Sequence, residues 1–178
     1  ILTPIAKTYP SEQGSRSAAL AIQTLGGYGF TTDFPVQQHY RDLKIMSLYE
    51  GTTGIQAIDL LGRKVSLENG QALELLFAEF KKEITIAQLS QELSAEAELL
   101  DQEISRIRWV LNKLKPVATE GDTARYLSDA SVFLEMMGYA VIGWQWLKMA
   151  AKSLDLLSSS NLSEEQRSFY EGKIHVCR

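Results

Sequence analysis

The amino-acid sequence predicts an all-α protein: an up-and-down helical bundle followed by a second antiparallel helical bundle. Apolar residues recur at a spacing near 3.6 over long stretches, the chain has only four prolines, and the alternating runs typical of strands are few. A chain of 178 residues can bury one large core or two small ones. Asn69-Gly70 is the clearest internal turn, so we expect one domain over residues 1–68 and another over 69–178.

The first domain should contain three helices joined by short turns. A helix from about Glu12 to Thr24 should end at the glycine-rich run Gly26–Gly29, a second should cover Val36 to about Ser47, and a third should run from Thr53 to Val65. A turn at Glu50–Thr52 leads into the third helix. The inner face of the first helix is expected to carry Ala18, Ala19, Ile22 and Leu25.

The second domain should consist of long amphipathic helices. Two apolar stripes predict helices that pack through one seam: Leu73, Phe77, Phe80, Ile84 and Ala87, then Leu93, Ala97, Leu100, Ile104, Ile107, Leu111 and Leu114. Pro116 and Gly121 should end the second stripe, and a helix from about Asp122 to Leu157 should lie at the centre of the bundle. After a loop at residues 158–161, a capping box over Ser163–Gln166 should open the last helix. The seam could also form a free coiled coil, but the neighbouring apolar helix favours an intramolecular bundle.

Composition and charge argue against several classes of function. A net charge of −4, a pI near 5.3 and scattered lysines and arginines are not those of a nucleic-acid-binding surface. The single cysteine, Cys177, cannot form an internal disulfide, and two histidines, His39 and His175, give no cluster for a metal ion. No apolar run approaches the roughly 20 residues of a membrane span. We therefore expect a protein of the reducing cytoplasm, without metal or membrane span.

Glu50 has the most suggestive surroundings of any charged residue in the sequence. It follows the apolar-rich run Ile45–Tyr49 and immediately precedes Gly51. Apolar neighbours remove water from a charged carboxylate, which raises its pKa toward the range of a general base at neutral pH. The same position also suits a solvated carboxylate near a helix N-terminus, stabilised by the helix dipole. The local sequence leaves both interpretations open.

The run Gly26-Gly27-Tyr28-Gly29 is a second candidate site. It falls short of the dinucleotide-binding pattern and follows a helix rather than a strand, which excludes a βαβ nucleotide-binding unit. Its glycines would let backbone N–H groups approach a phosphate closely. Taken by itself, the run is more simply a helix C-cap followed by a turn.

Three strings in fixed order carry a family resemblance: Gln23-Thr24-Leu25-Gly26-Gly27-Tyr28-Gly29-Phe30, Tyr40-Arg41-Asp42-Leu43-Lys44-Ile45 and Tyr49-Glu50-Gly51-Thr52. Together they resemble the C-terminal helical region of the acyl-CoA dehydrogenases, over about the first 65 residues. Leu2–Ile5, Gln38–Asp42 and Gly54–Lys64 resemble one subgroup, which includes the 3-methylmercaptopropionyl-CoA dehydrogenases and carries an extra C-terminal helical domain. Residues 71–178 look similar to that domain.

The resemblance implies a catalytic role for Glu50. In the family, the corresponding glutamate removes the α-proton of an acyl-CoA thioester while the β-hydrogen leaves as hydride to N5 of FAD. The charge on the thioester oxygen would be met by the backbone N–H of the same glutamate and by a ribityl hydroxyl of FAD. Gly51 would leave room for the thioester, and Tyr49 would line the acyl side of the pocket.

The resemblance also implies contacts with FAD and with a second subunit. Gln23, Leu25, Gly26 and Gly27 would contact the FAD of a neighbouring subunit, and Thr52 and Gly54 would form a further FAD-contacting segment. Shared flavin sites imply a homodimer or tetramer. Many relatives carry glutamine where this sequence has Gly54, so a side-chain contact is lost there. Arg41, Asp42 and Lys44 should form structural ion pairs.

On this resemblance the substrate is an acyl-CoA and the electron acceptor an electron-transfer flavoprotein. The sequence begins without methionine, and the family's N-terminal and middle domains, with most flavin and CoA contacts, would lie outside it. We therefore expect the 178-residue chain alone neither to retain FAD nor to turn over substrate. Two alternatives stay open: an acyl-CoA oxidase, which passes its electrons to oxygen, and a non-catalytic helical assembly or regulatory module.

Overall fold

The computed structural model describes residues 1–158 and 161–178, and every regular element in those ranges is helical. The helices are α1 (Leu2–Leu25), α2 (Gly27–Phe30), α3 (Val36–Ile45), α4 (Thr53–Gly62), a 3₁₀ segment (Lys64–Gly70), α5 (Gln71–Ala87), α6 (Ser94–Thr119), α7 (Thr123–Leu127), α8 (Ala130–Leu157) and α9 (Glu164–Cys177). The predicted all-α class is therefore confirmed. Ser159 and Ser160, in the predicted loop, lie outside the described residues.

The chain forms two compact units. The first contains Ile1–Leu67 and Ala124–Gly138, and the second contains Glu68–Thr123 and Tyr139–Arg178. The first nine residues of α8 thus belong with the first unit. The predicted division into domains over residues 1–68 and 69–178 stays a prediction. None of the described helices has the length and apolar character needed to cross a membrane.

Helix α1 is ten residues longer at its start than the sequence predicts, and Pro10 lies inside it. Its buried face is largely small or polar: Pro4, Ile5, Thr8, Ser11, Ser15 and Ala18. Of the expected inner residues, Ala18 is buried and Ile22 half-buried, whereas Ala19 and Leu25 are exposed and were wrongly assigned. The hydroxyls of Ser11 and Ser15 donate to carbonyls one turn earlier at 2.8–3.0 Å, which lets them be buried at little cost.

In the second unit, the predicted faces of α5 and α6 are confirmed. All five stripe residues of α5 are buried, as are the first five of the second stripe, from Leu93 to Ile107, while Leu111 and Leu114 are half-buried. The two helices pack against each other. Phe80 of α5 also stacks on Trp144 of α8, with ring centroids 4.9 Å apart, so the seam has intramolecular partners, as expected.

Two predicted helix ends differ from the structure. Pro116 lies inside α6, which continues to Thr119, and Gly121 follows with a φ of +81°. The predicted helix from Asp122 to Leu157 is interrupted between Leu127 and Ala130, where the backbone N–H of Ser128 donates to the carbonyl of Arg125, three residues earlier. The capping box at Ser163 and Gln166 is present as predicted.

Helix α8 is buried on one face only, whereas we expected it at the centre of its bundle. Phe133, Met137 and Leu147 are buried, but several large apolar side chains are exposed: Val132, Tyr139, Trp146 and Met149. The apolar residues of this helix surround its axis, so the sequence could not show which of them face outward.

Candidate active site at the Glu50 turn

Glu50 and Gly51 form a turn between α3 and α4, and both have left-handed backbone angles. The φ of Glu50 is +55° and that of Gly51 is +88°. Glycine adopts such an angle readily, but for a glutamate it costs about 1–2 kcal/mol. A non-glycine residue held in this backbone conformation needs support from its surroundings. Such residues cluster at functional sites.

Two side chains supply that support by donating to the carbonyls of the turn. Gln56 Nε2, on α4, donates to the carbonyl oxygen of Glu50 at 2.8 Å, and Lys7 Nζ, on α1, donates to that of Gly51 at 2.6 Å. A neutral hydrogen bond contributes about 0.5–1.5 kcal/mol and one from a charged group about 1.5–3 kcal/mol. Together they exceed the conformational cost of Glu50, so the turn is held in its left-handed form.

The start of α4 is also bound to α1. Thr52 is the N-cap, and its hydroxyl accepts a hydrogen bond from the backbone N–H of Ile55 at 3.4 Å. Thr53 donates its hydroxyl to the Glu12 carboxylate on α1. The residues that flank the turn are thus tied to α1 independently of Lys7.

Glu50 is exposed, and so are the large apolar side chains close to it in sequence. Their exposed fractions range from 43% to 57%: Ile45, Met46, Leu48, Tyr49, Ile55 and Ile58. The removal of water that the sequence predicts around Glu50 is therefore not provided by the described residues. These exposed apolar side chains lie within eight residues of Glu50 in the sequence and are available to a ligand or another protein segment.

The three glycines of the run at the end of α1 differ in whether backbone angle or packing requires a glycine at their position. Gly26 has a φ of +61°, and a Cβ on Gly29 would lie 2.6 Å from the carbonyl oxygen of Ile22. Gly27 has neither constraint, because a Cβ there would meet no heavy atom within 4 Å. Gln23 and Leu25 are exposed as well. The packing of the chain thus explains Gly26 and Gly29 but not Gly27.

The structure does not bring the two groups of predicted site residues together within one chain. Lys7, which contacts the turn, and Gly26 are separated by almost the whole of α1, or about 28 Å at 1.5 Å per residue. Tyr49, Gly51, Thr52 and Gly54 lie at or beside the Glu50 turn, whereas Gln23, Leu25, Gly26 and Gly27 lie at the far end of the helix. The chain therefore presents two separate surfaces.

The expected ion pairs of the Arg41-Asp42-Lys44 segment are absent among the described residues. Asp42 accepts a hydrogen bond from Gln38 Nε2 at 2.6 Å, and the side chains of Arg41 and Lys44 are exposed. Arg41, Asp42 and Lys44 lie close together on α3 and are exposed to solvent. Gln38, one turn before Asp42, takes the place of a basic partner at its carboxylate. In the part of the chain that the structure describes, no group of three or more potential ligands could hold a metal ion.

Sequence reasoning missed the residues that hold the turn. Lys7 and Glu12 act through contacts with residues more than forty positions away, and no local pattern marks them. Lys7 also lay outside the predicted first helix, so it could not be assigned to a face. Gln56 lies six residues after Glu50, a spacing that could have placed it near the turn.

Two protein-family models match most of the chain between them. A family model described as "Acyl-CoA dehydrogenase, C-terminal domain" matches residues 1–66, and one described as "Acetyl-CoA dehydrogenase C-terminal like" matches residues 76–178. Both describe C-terminal regions of dehydrogenases, in agreement with the all-helical fold. The chain belongs to the acyl-CoA dehydrogenase family.

Three curated relatives match most or all of the chain. It is 35% identical to the broad-specificity linear acyl-CoA dehydrogenase FadE5 of Mycobacterium tuberculosis over 99% of its length, and 38% identical to 3-methylmercaptopropionyl-CoA dehydrogenase of Ruegeria pomeroyi over 81%. It is 29% identical to a butyryl-CoA dehydrogenase of Syntrophomonas wolfei over 100%. The matches cover 30%, 24% and 29% of those relatives, so the chain spans less than a third of their length.

Proposed function

We propose that the full-length protein containing this chain is an FAD-dependent acyl-CoA dehydrogenase in which Glu50 is the base. The observation that carries this proposal is the turn at Glu50 and Gly51, whose carbonyls are held by Gln56 and Lys7. This turn presents a glutamate among exposed apolar side chains. The carboxylate of Glu50 takes the α-proton of the acyl-CoA thioester, and the backbone N–H of the same residue donates to the thioester oxygen. FAD, when bound, supplies the acceptor for the β-hydride, so that a trans-2 double bond forms.

The residues of the chain fit such a cofactor at two places. The backbone of Gly26 and Gly27 is exposed, and the unexplained lack of a side chain at Gly27 leaves room for a group that approaches its N–H. Thr52 and Gly54 are exposed beside the base. The separation of about 28 Å along α1 supports contacts with two different flavins, one of them in a neighbouring subunit, and hence a homodimer or tetramer.

The surroundings of the base also fit the proposed chemistry. A thioester α-proton is a weak acid, so the base must be shielded from water when substrate is bound. Tyr49 and the neighbouring exposed apolar side chains would be covered by the acyl chain and the cofactor, and Gly51 leaves space beside the carboxylate. An electron-transfer flavoprotein is the proposed acceptor of the electrons.

The test is a panel of acyl-CoA thioesters mixed anaerobically with the full-length protein while flavin absorbance is followed. The printed names of the relatives suggest butyryl-CoA, longer linear acyl-CoAs and 3-methylmercaptopropionyl-CoA as members of the panel. At least one should bleach the flavin. Glu50→Gln should slow bleaching by about 10²–10⁴-fold or more, as expected for loss of a general base.

Glu68→Gln is the matched control, because Glu68 is also exposed and has a left-handed φ, of +50°. It should bleach at the wild-type rate. Bleaching by Glu50→Gln at that same rate would overturn the assignment of the base, and a wild-type flavoprotein that no member of the panel bleaches would favour a non-catalytic module. Rapid reoxidation of the reduced flavin by air would identify an acyl-CoA oxidase instead.

A further inference from the structure

We propose that Lys7 is a positioning residue for the Glu50 base: by holding the carbonyl of Gly51, its ammonium group keeps the turn that carries Glu50 in place against α1. This inference rests on the proposed function of Glu50 and adds a residue that acts on it from another helix. Lys7 does not touch the reacting atoms in this proposal, and it acts only through the backbone of the turn.

The partner of Lys7 distinguishes it from other lysines of the chain. Lys81, Lys82, Lys148 and Lys152 pair with carboxylates. Lys7 is half-buried and donates at 2.6 Å to a backbone carbonyl 44 residues away. Ordering a long lysine side chain costs conformational entropy, and a charge-assisted hydrogen bond of this kind is strong enough to offset it.

The hydrogen bonds from Lys7 and Gln56 together fix two peptide planes of the turn. Because a peptide unit is planar and trans, the direction of each carbonyl sets that of the following N–H. Gln56 therefore orients the plane between Glu50 and Gly51, and Lys7 orients the plane between Gly51 and Thr52. Without Lys7, the plane between Gly51 and Thr52 is no longer tied to α1, and the turn that carries Glu50 can shift relative to that helix.

Lys7 is not needed to keep α1 and α4 together. The Thr53 hydroxyl already binds the Glu12 carboxylate, and Ile5 and Leu60 are almost fully buried in the first unit. Loss of the Lys7 ammonium therefore affects the turn more than the fold. A displacement of about 1 Å in a reacting group costs up to about a hundredfold in rate, so the effect should be visible in catalysis.

The experiment compares Lys7→Met and Lys7→Arg in the full-length flavoprotein, with Lys81→Met as the matched control. Lys81 also links two helices through its ammonium group, but it lies in the second unit. Flavin bleaching at saturating acyl-CoA, expressed per bound flavin, should fall about tenfold to a hundredfold in Lys7→Met with KM little changed. Lys7→Arg keeps a charged donor and should recover most of the rate, and Lys81→Met should match the wild type.

A second measurement isolates the proton transfer. A 3-thia-acyl-CoA has sulfur in place of the β-methylene, so its α-proton can be removed but no hydride can leave. Its α-proton exchange with D₂O, followed by mass spectrometry, should slow in Lys7→Met as much as bleaching does. Backbone amide exchange of a peptide spanning Leu48–Ile55 should also become faster than in Lys81→Met.

Each outcome decides between supporting and rejecting the proposal. Equal exchange and bleaching rates in Lys7→Met and Lys81→Met would overturn it, and so would a raised KM with unchanged kcat, which indicates direct substrate contact. If Lys7→Met loses flavin or stability, Lys7→Ala replaces it, and a rate equal to that of Lys7→Arg then counts against the proposal. Wild-type bleaching by Glu50→Gln would instead reject the function of Glu50, whatever the Lys7 variants do.

Discussion

The hydroxyl of Tyr126 donates to the carbonyl oxygen of Leu61 at 2.8 Å, across 65 residues of sequence. Leu61 is fully buried at the end of α4, and the next residue, Gly62, approaches Leu127, since a Cβ on Gly62 would lie 3.4 Å from its side chain. The segment that follows α6 therefore returns to α4. This contact explains why Ala124–Gly138 belongs to the first unit although α5 and α6 belong to the second.

Tyr126→Phe should lower the free energy of unfolding by about 1 kcal/mol, because the carbonyl of Leu61 loses its donor. Chemical denaturation of the chain followed by circular dichroism measures this change. Tyr28→Phe is the control, since Tyr28 is 70% exposed and its substitution should change stability by less than about 0.5 kcal/mol. Equal stability of the two variants would contradict the role assigned to the hydrogen bond.

Burial raises the pKa of Tyr126 above its usual value of 10.0, which gives the same contact a pH dependence. The neutral hydroxyl is favoured in the folded state, so its contribution is fully present below about pH 10 and is lost as the pH rises through the raised pKa. The wild type should therefore lose stability above about pH 10 more steeply than Tyr126→Phe. Parallel curves for the two proteins would contradict this expectation.

How far the sequence predicted the fold depended on the chemistry of each buried face. The faces of α5 and α6 carry leucine, isoleucine, phenylalanine or alanine at every third or fourth position, so their periodicity was readable. The buried face of α1 carries Thr8, Ser11 and Ser15, which a hydrophobic pattern cannot detect. The break between Leu127 and Ala130 contains no glycine or proline, so the sequence carries no local signal for it.

For the candidate site, the family resemblance located the turn but not what holds it. Glu50 and Gly51 were identified from three short strings in fixed order, because the local sequence alone left the role of Glu50 open. The bond of Lys7 to the carbonyl of Gly51 depends on how α1 packs against the turn, whereas that of Gln56 to the carbonyl of Glu50 spans only six residues. A contact like that of Lys7 becomes visible only once the helices are placed.

The hydrogen bond between Arg178 and Glu96, in the second unit, should make the stability of the fold depend on pH in the acid range. Arg178 Nε donates to Glu96 Oε1 at 2.9 Å, and this hydrogen bond is the main cause that holds the pKa of Glu96 below its usual 4.5. A lowered pKa stabilises the fold above the usual value, and that stability is lost as the pH falls through the lowered pKa.

Arg178→Met should therefore flatten the loss of stability between about pH 5 and pH 3, measured by urea unfolding at a series of pH values. Arg106→Met is the control, because Arg106 pairs with Glu103 within one exposed turn of the same helix. Its pH profile should follow the wild type. An unchanged profile in Arg178→Met would show that the contact contributes nothing to the acid response.

Gly27→Ala and Gly29→Ala should separate a cofactor contact from a packing requirement. A Cβ at Gly29 would overlap the backbone of Ile22 at 2.6 Å, so Gly29→Ala should destabilise the fold by about 1–3 kcal/mol. A Cβ at Gly27 meets nothing within 4 Å, so Gly27→Ala should leave the thermal midpoint of the apoprotein nearly unchanged. In the full-length protein, however, it should weaken FAD retention, measured as flavin released on dilution. Full retention by Gly27→Ala would remove Gly27 from the proposed contacts.

The 178-residue chain by itself should hold no flavin. Its proposed contacts, Gln23, Leu25, Gly26, Gly27, Thr52 and Gly54, are all exposed, and the two groups lie about 28 Å apart along α1. Neither surface encloses a flavin ring, so the free energy of binding must come chiefly from groups outside the chain. The purified chain should be helical by circular dichroism, which confirms that it has folded, yet colourless after incubation with FAD and gel filtration. A stoichiometric yellow complex would show that these exposed segments suffice to retain the cofactor, and the proposed sharing of flavin contacts between subunits would then need only this part of the protein.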